Sequence, residues 1–255
     1  MAEPAATINA VSTDTLLGGR IKINQPIRGY RVAIDPVLLA AAVPARPGQS
    51  VLDAGTGTGA AALCLLIRVP HTHVTGVEKQ PFFAALAHDN AEANTMTSCF
   101  TVIEGDVSAR PAPVPAESID HVMANPPFIP SGRGSLPTDL SKAVATIEGA
   151  EGLCSWLDFC VTTVRPGGTV TFIHRADRLG DLLAAIGASL GGIIVCPVWS
   201  AAGKQASRII VSGIKGIRTP LSLHSGLVLH EEDGTYTVAA QAILRDGGAL
   251  NLDIS

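Results

Sequence analysis

Short apolar runs and longer stretches rich in Ala and Leu take turns along most of this chain. Runs of strand length lie near 50–54, 73–78, 100–104, 119–124, 169–174, 193–198 and 207–212. Between them, the stretches near 58–68, 82–94, 148–164 and 177–189 have the length and composition of helices. Alternation of this kind predicts an α/β fold, a mostly parallel sheet with helices on both faces. Such sheets bind ligands outside the carboxyl ends of their strands. Arg165-Pro166-Gly167-Gly168 reads as a turn into the fifth strand, and Gly191-Gly192 opens the sixth.

The pattern changes ahead of this core. Arg20 to Asn24 alternates, with Ile21 and Ile23 on one side, and predicts a short strand. Asp35-Pro36 predicts a helix start, with Asp as the cap and Pro at the first helical position. The helix from Val37 to Val43 is apolar nearly all round and must be buried. Pro44 and Pro47-Gly48 close it. The chain then divides into a flexible tail (1–14), a strand–helix addition (15–47), the alternating domain (48–214) and a C-terminal extension (215–255).

Composition sets limits on function. Of the 255 residues 47% are hydrophobic and only 4% aromatic, so Ala, Val, Leu and Ile build the core. No apolar run approaches the ~20 residues that span a bilayer, so no membrane role is expected. The segment from Met1 to Asp14 holds acids and no base, unlike a secretory signal. Five cysteines, an odd number with no Cys-x-x-Cys pair, read as free thiols of a cytoplasmic protein. His71-x-His73 lacks a third ligand, and no metal is assigned. His121 and His174 read as packed neutral groups. A net charge of −4 argues against indiscriminate nucleic-acid binding. The charge is uneven, however. Segment 18–34 holds Arg20, Lys22, Arg28 and Arg31, and segment 203–218 holds Lys204, Arg208, Lys215 and Arg218, neither with an acid. An anionic substrate fits if both lie on one face; ordinary surface charge fits as well.

Two motifs carry chemistry. In the first, Val51 to Gly59 is an apolar run, then Asp53, then Gly55, Gly57 and Gly59 at alternate positions, leading into a helix. Glycines let the backbone approach a ligand closely, and a helix start favours negative groups. Gly55-x-Gly57-x-x-Ala60 also fits a dinucleotide fingerprint. Asp53 at the strand end suits a cationic ligand such as the ammonium of a methionine moiety. Glu78 ends the next strand about 20 residues beyond Gly59, where a carboxylate grips ribose hydroxyls. Asp106, followed by Val107, ends the third and is placed to accept from an adenine amino group. The second motif, Asn125-Pro126-Pro127-Phe128, follows the fourth strand. A conjugated amino group is a poor nucleophile because its lone pair is delocalised. The Asn side-chain oxygen and the first Pro carbonyl can accept both its hydrogens and free the lone pair. Neither Pro offers an N–H, and the ring can stack on a planar group.

Together these motifs resemble the class I methyltransferases that use S-adenosylmethionine. Within them the chain is similar to the tRNA(Val) adenine methyltransferases, which modify the 6-amino group of an adenine beside the anticodon. Gln25 to Leu39 and Asp233-Gly234-Thr235-Tyr236-Thr237, leading into a last helix, add to the likeness. The resemblance implies a Rossmann-like seven-stranded sheet with its last strand antiparallel. It implies S-adenosylmethionine as cofactor, held by Asp53, Gly55, Gly57, Gly59, Glu78, Asp106 and Val107. It implies catalysis by Asn125, Pro126, Pro127 and Phe128, and tRNA as substrate. Arg28, Arg31, Lys204 and Arg208, with Arg133 and Lys142 from the loop after the catalytic turn, are the candidates for phosphate contact. Other amino substrates stay open, namely a protein glutamine amide or a guanine in rRNA. So does a nucleoside- or RNA-binding module without catalysis. A dehydrogenase has no use for the Asn-Pro-Pro-Phe turn.

Overall fold

The computed structural model describes residues 10–252 except 30, 111, 127–128, 131–146, 149–151 and 188, with the backbone alone at 129–130 and 147–148. Strands β1 (Val11–Leu16) and β2 (Ile21–Pro26) form an antiparallel hairpin. Ile21 and Ile23 of β2 are buried, as their alternation predicts. The tail expected over 1–14 therefore gives way by Val11. Val11–Asp14 pair with Ile23–Pro26, and the Asp14 carboxylate accepts from Gln25 at 2.7 Å and Arg31 at 2.6 Å.

Helix α1 (Asp35–Ala42) is buried along its whole length, as its all-apolar surface requires. Asp35 is not its cap. The helix begins at Asp35 with Ile34 in the cap position, and the Asp35 carboxylate turns instead to Arg208, whose Nε donates to both its oxygens at 3.1 Å. A guanidinium is a stronger partner for a buried carboxylate than a backbone amide.

The alternating core follows as β3 (Ser50–Ala54), α2 (Ala60–Arg68), β4 (His73–Glu78), α3 (Pro81–Ala93), β5 (Phe100–Glu104) and β6 (Ile119–Ala124). Short β7 (Ile129–Pro130) and β8 (Ile147–Glu148) pair with each other, apart from the main sheet. Then come α4 (Gly152–Thr163), β9 (Val164–Arg175), α5 (Leu179–Ile186), β10 (Leu190–Ala201), β11 (Ala206–Lys215), β12 (Ser222–Leu223), β13 (Leu227–His230) and α6 (Val238–Leu244). The main sheet runs β12-β10-β11-β9-β6-β3-β4-β5, with β13 also on β10. Strands β5, β4, β3, β6 and β9 are parallel neighbours, and β11 is antiparallel to both β9 and β10. These seven strands are the expected sheet with its last strand reversed. The addition is β12 and β13, drawn from the C-terminal extension. They cover the open edge of β10, and Leu227 and Leu229 of β13 are buried there.

Successive β3 residues show why the sheet is buried on both faces. Val51 joins the core under α1, α2 and α6, and Leu52 joins the one under α4 and α5. The period of two sends neighbours to opposite faces.

Candidate functional site

The parallel register aligns the strand ends. Ala54 of β3 lies opposite Val77 on one side and Ala124 on the other, and Glu78 lies opposite Glu104. The segments after β3, β4, β5 and β6 thus leave one edge of the sheet. There the fold brings together Asp53, Gly55, Gly57, Gly59, Glu78, Asp106, Val107, Asn125 and Pro126. Pro127, Phe128, Arg133 and Lys142 lie outside the described residues.

Gly55 and Gly59 have φ of +69° and +82°, a left-handed backbone that favours glycine. Gly59 precedes α2 and lets the loop turn into the helix N-terminus. Glu78 straps this loop from the next strand. Its Oε2 accepts from Gly57 N and its Oε1 from Gln80 N, both at 2.9 Å. Burial raises the Glu78 pKa against the pull of these backbone donors. Asp53 is buried under the loop and accepts from Thr56 Oγ1 at 2.6 Å. Burial pushes its carboxyl up to about 7, with the charge of Glu78 adding to the effect. Both carboxyls have donors from the loop and its neighbours, yet burial raises both, so a cationic ligand would favour their ionised forms.

Asp106 follows β5. Its Oδ1 accepts from Ser108 N at 2.9 Å and from Ser108 Oγ at 2.8 Å, and its Oδ2 meets Lys79 Nζ at 2.6 Å. Burial works to raise its pKa, but Lys79 and Ser108 outweigh it and hold the carboxyl below its ordinary value. Val107 is buried and belongs to the core under α4 and α5.

Asn125 stands one residue past β6, beside the glycine loop. Its Oδ1 is buried and has no hydrogen-bond partner among the described residues. An orphaned buried acceptor costs about 1–3 kcal/mol, and such groups are few in folded proteins. Pro126 beside it is buried and contributes a carbonyl but no N–H.

The basic candidates divide by strand direction. Lys204, exposed in the β10–β11 turn, and Arg208 lie at the carboxyl edge with the site. Lys215 ends β11 at the opposite edge, where its Nζ donates to Val161 O at 2.8 Å and Val164 O at 2.9 Å. Segment 203–218 is therefore not one basic face, because a strand of ten residues, at about 3.3 Å each, carries its ends far apart. Arg28 is exposed in the segment between β2 and α1. Arg31 is tied to Asp14, Ser12 Oγ and Pro26 O. Arg20 is tied to Leu17 O and Arg245 O.

Three contributors escaped the sequence reading. Lys79 follows Glu78 directly, yet no spacing links it to Asp106. Asn90, fully buried on α3, donates to Thr58 O in the glycine loop. Trp156 of α4 brings its indole to Gly55.

The sheet order, with its reversed seventh strand, and the acid–glycine loop at its carboxyl edge are those of the S-adenosylmethionine-dependent methyltransferases. The methyltransferase small domain matches residues 31–145. A tRNA1(Val) (adenine(37)-N6)-methyltransferase of Porphyromonas gingivalis is 32% identical over 176 residues, 67% of this chain and 68% of the relative. Another of that name, from Actinobacillus succinogenes, is 27% identical over 228 residues, 89% of this chain and 94% of the relative. The crystal structure of a predicted O-methyltransferase from Agrobacterium tumefaciens superposes with a TM-score of 0.72 at 25% identity, covering 85% of this chain and 98% of that one. The chain belongs to the family of tRNA1(Val) (adenine(37)-N6)-methyltransferases. S-adenosylmethionine is its methyl donor. Among the described residues no helix is long and apolar enough to cross a membrane.

Proposed function

We propose that this enzyme methylates the 6-amino group of an adenine in tRNA. The observation that carries the reading is the buried Oδ1 of Asn125 beside the glycine loop, which has no partner among the described residues. The names of the relatives support tRNA as the substrate. Asp53 and Glu78 suit the ammonium and ribose hydroxyls of S-adenosylmethionine, and the left-handed glycines let it approach the backbone. When bound, this cofactor supplies a methyl group activated on a sulfonium. Asn125 Oδ1 and the Pro126 carbonyl accept the two amino hydrogens of the adenine, aim the nitrogen lone pair and stabilise the positive charge that grows on it. Holding both reactants in line supplies the rest of the advantage. Phe128 stacks on the base once it leaves its own stack. No strong base is needed, because the methylated ammonium sheds its proton readily. A hydroxyl substrate, by contrast, needs a base and gains nothing from two acceptors.

The test is labelled S-adenosylmethionine with separate RNA, DNA and protein fractions. Label is expected in tRNA as 6-methyladenine. Asn125→Ala should lower turnover by ~10²–10³-fold, on the scale of removing one transition-state hydrogen bond, while cofactor affinity stays unchanged. Label in a protein glutamine, or in rRNA guanine, would overturn the substrate with the same residues at work. Normal turnover in Asn125→Ala would overturn the role of the Asn.

A further inference from the structure

We propose that Trp156 forms an aromatic wall of the cofactor pocket between the glycine loop and Asn125. A side-chain carbon placed on Gly55 would come within 2.2 Å of Trp156 Cη2 and 2.8 Å of its Cζ3. The missing side chain of Gly55 thus leaves room for the tip of the indole. This adds a second constraint to the left-handed φ of that residue.

Two independent placements make the contact more than core packing. The sheet register sets Ala54 opposite Ala124, so Gly55 and Asn125 leave adjacent strands side by side. The indole on Gly55 therefore meets the strand neighbour of Asn125, whose Oδ1 has no partner among the described residues. Burial along α4 is the other. Leu153, Leu157, Phe159 and Cys160 are buried, but Trp156 is only half-buried while still packed against the core under α4 and α5. The residue thus packs on protein over part of its surface and is exposed over the rest. A large, stiff ring with one side covered gives a ligand apolar contact at little entropic cost.

The inference rests on reading the glycine loop as the cofactor site, and the experiment keeps the two apart. The chain has two tryptophans, and the other, Trp199, packs on Gly226. In Trp199→Phe the emission reports Trp156 alone. Saturating S-adenosylhomocysteine should change the intensity or wavelength of that emission. Calorimetry should find Trp156→Ala weakened about tenfold for the same ligand, a loss of roughly 1.4 kcal/mol, and Trp156→Phe weakened far less. Binding to Trp199→Phe by calorimetry with no change in emission overturns the wall and leaves the proposed function standing. So does full affinity in Trp156→Ala. Absence of binding to the wild-type enzyme overturns both. If Trp156→Ala does not fold, the emission of Trp199→Phe still decides.

Discussion

Asp53 shows how one residue can be both predictable and surprising. Its place at the end of β3 follows from the motif, but its protonation follows from burial. A carboxyl pushed up to about 7 is largely neutral in mildly acidic solution. The sign is that of a raised acid: the folded, ligand-free protein favours the protonated form, and a cationic ligand favours the ionised one. Affinity for S-adenosylmethionine should therefore strengthen as pH rises through 7 and fall by up to about tenfold per unit below it. Calorimetry between pH 5.5 and 8.5 checks this, and Asp53→Asn should flatten the dependence. A flat wild-type profile would remove Asp53 from the cation's surroundings. Binding is a cleaner readout than melting. Raised Asp53 lowers the stability of the free protein as pH rises from about 4 to 7. Buried His121 and His174, both pushed down to about 4, raise it over about 4 to 6.5.

At the scale of elements, the N-terminal hairpin is tied to the site by Asn90. Its Oδ1 accepts from Asn24 N at 2.7 Å, and its Nδ2 donates to Asn24 O at 3.0 Å and Thr58 O at 2.9 Å. One buried amide thus joins β2, α3 and the glycine loop. Asn90→Ala leaves three backbone groups without their partner. We expect a loss of about 2 kcal/mol or more, at the cost of such orphaned groups, and weaker cofactor binding because the loop is less fixed. Urea denaturation and calorimetry measure the two effects. Unchanged stability would show that water replaces the amide. The sequence reading found β2 through Ile21 and Ile23 but missed β1, where Ser12, Thr13, Asp14 and Thr15 give no apolar alternation. Pairing to β2, not burial, makes that segment a strand.

For the whole molecule, the direction of β11 decides which cations share a surface. Lys204 shares the carboxyl edge with the site, and Arg28 lies in the segment between β2 and the Asp35–Arg208 pair, while Arg218 follows β11 at the other edge. Binding of tRNA should weaken with salt, since each neutralised phosphate releases counterions. Replacing Arg28 and Lys204 together by Ala should flatten the slope by ~0.7–0.9 per lost contact. Arg218→Ala should leave it unchanged. Filter binding across a salt series makes the comparison, and an equal effect of Arg218→Ala would sink the assignment of a phosphate-facing edge.

The sequence by itself determined the sheet, the glycine loop and the acids at strand ends. Local apolar periodicity and glycine spacing are enough to place them, and a parallel sheet gathers its strand ends on one edge whatever its side chains. Glu78 and Asn125 were legible for that reason. Their partners were not. That Glu78 straps Gly57, that Lys79 holds Asp106 and that Asp35 joins Arg208 depends on side chains far apart in sequence, which only the packed fold brings within hydrogen-bond reach. Trp156 at Gly55 belongs with them, because no local signal says which helix face meets which loop. The division of segment 203–218 between two edges was likewise decided by the antiparallel turn of one strand, because charge along a chain becomes charge on a surface only once the chain has direction.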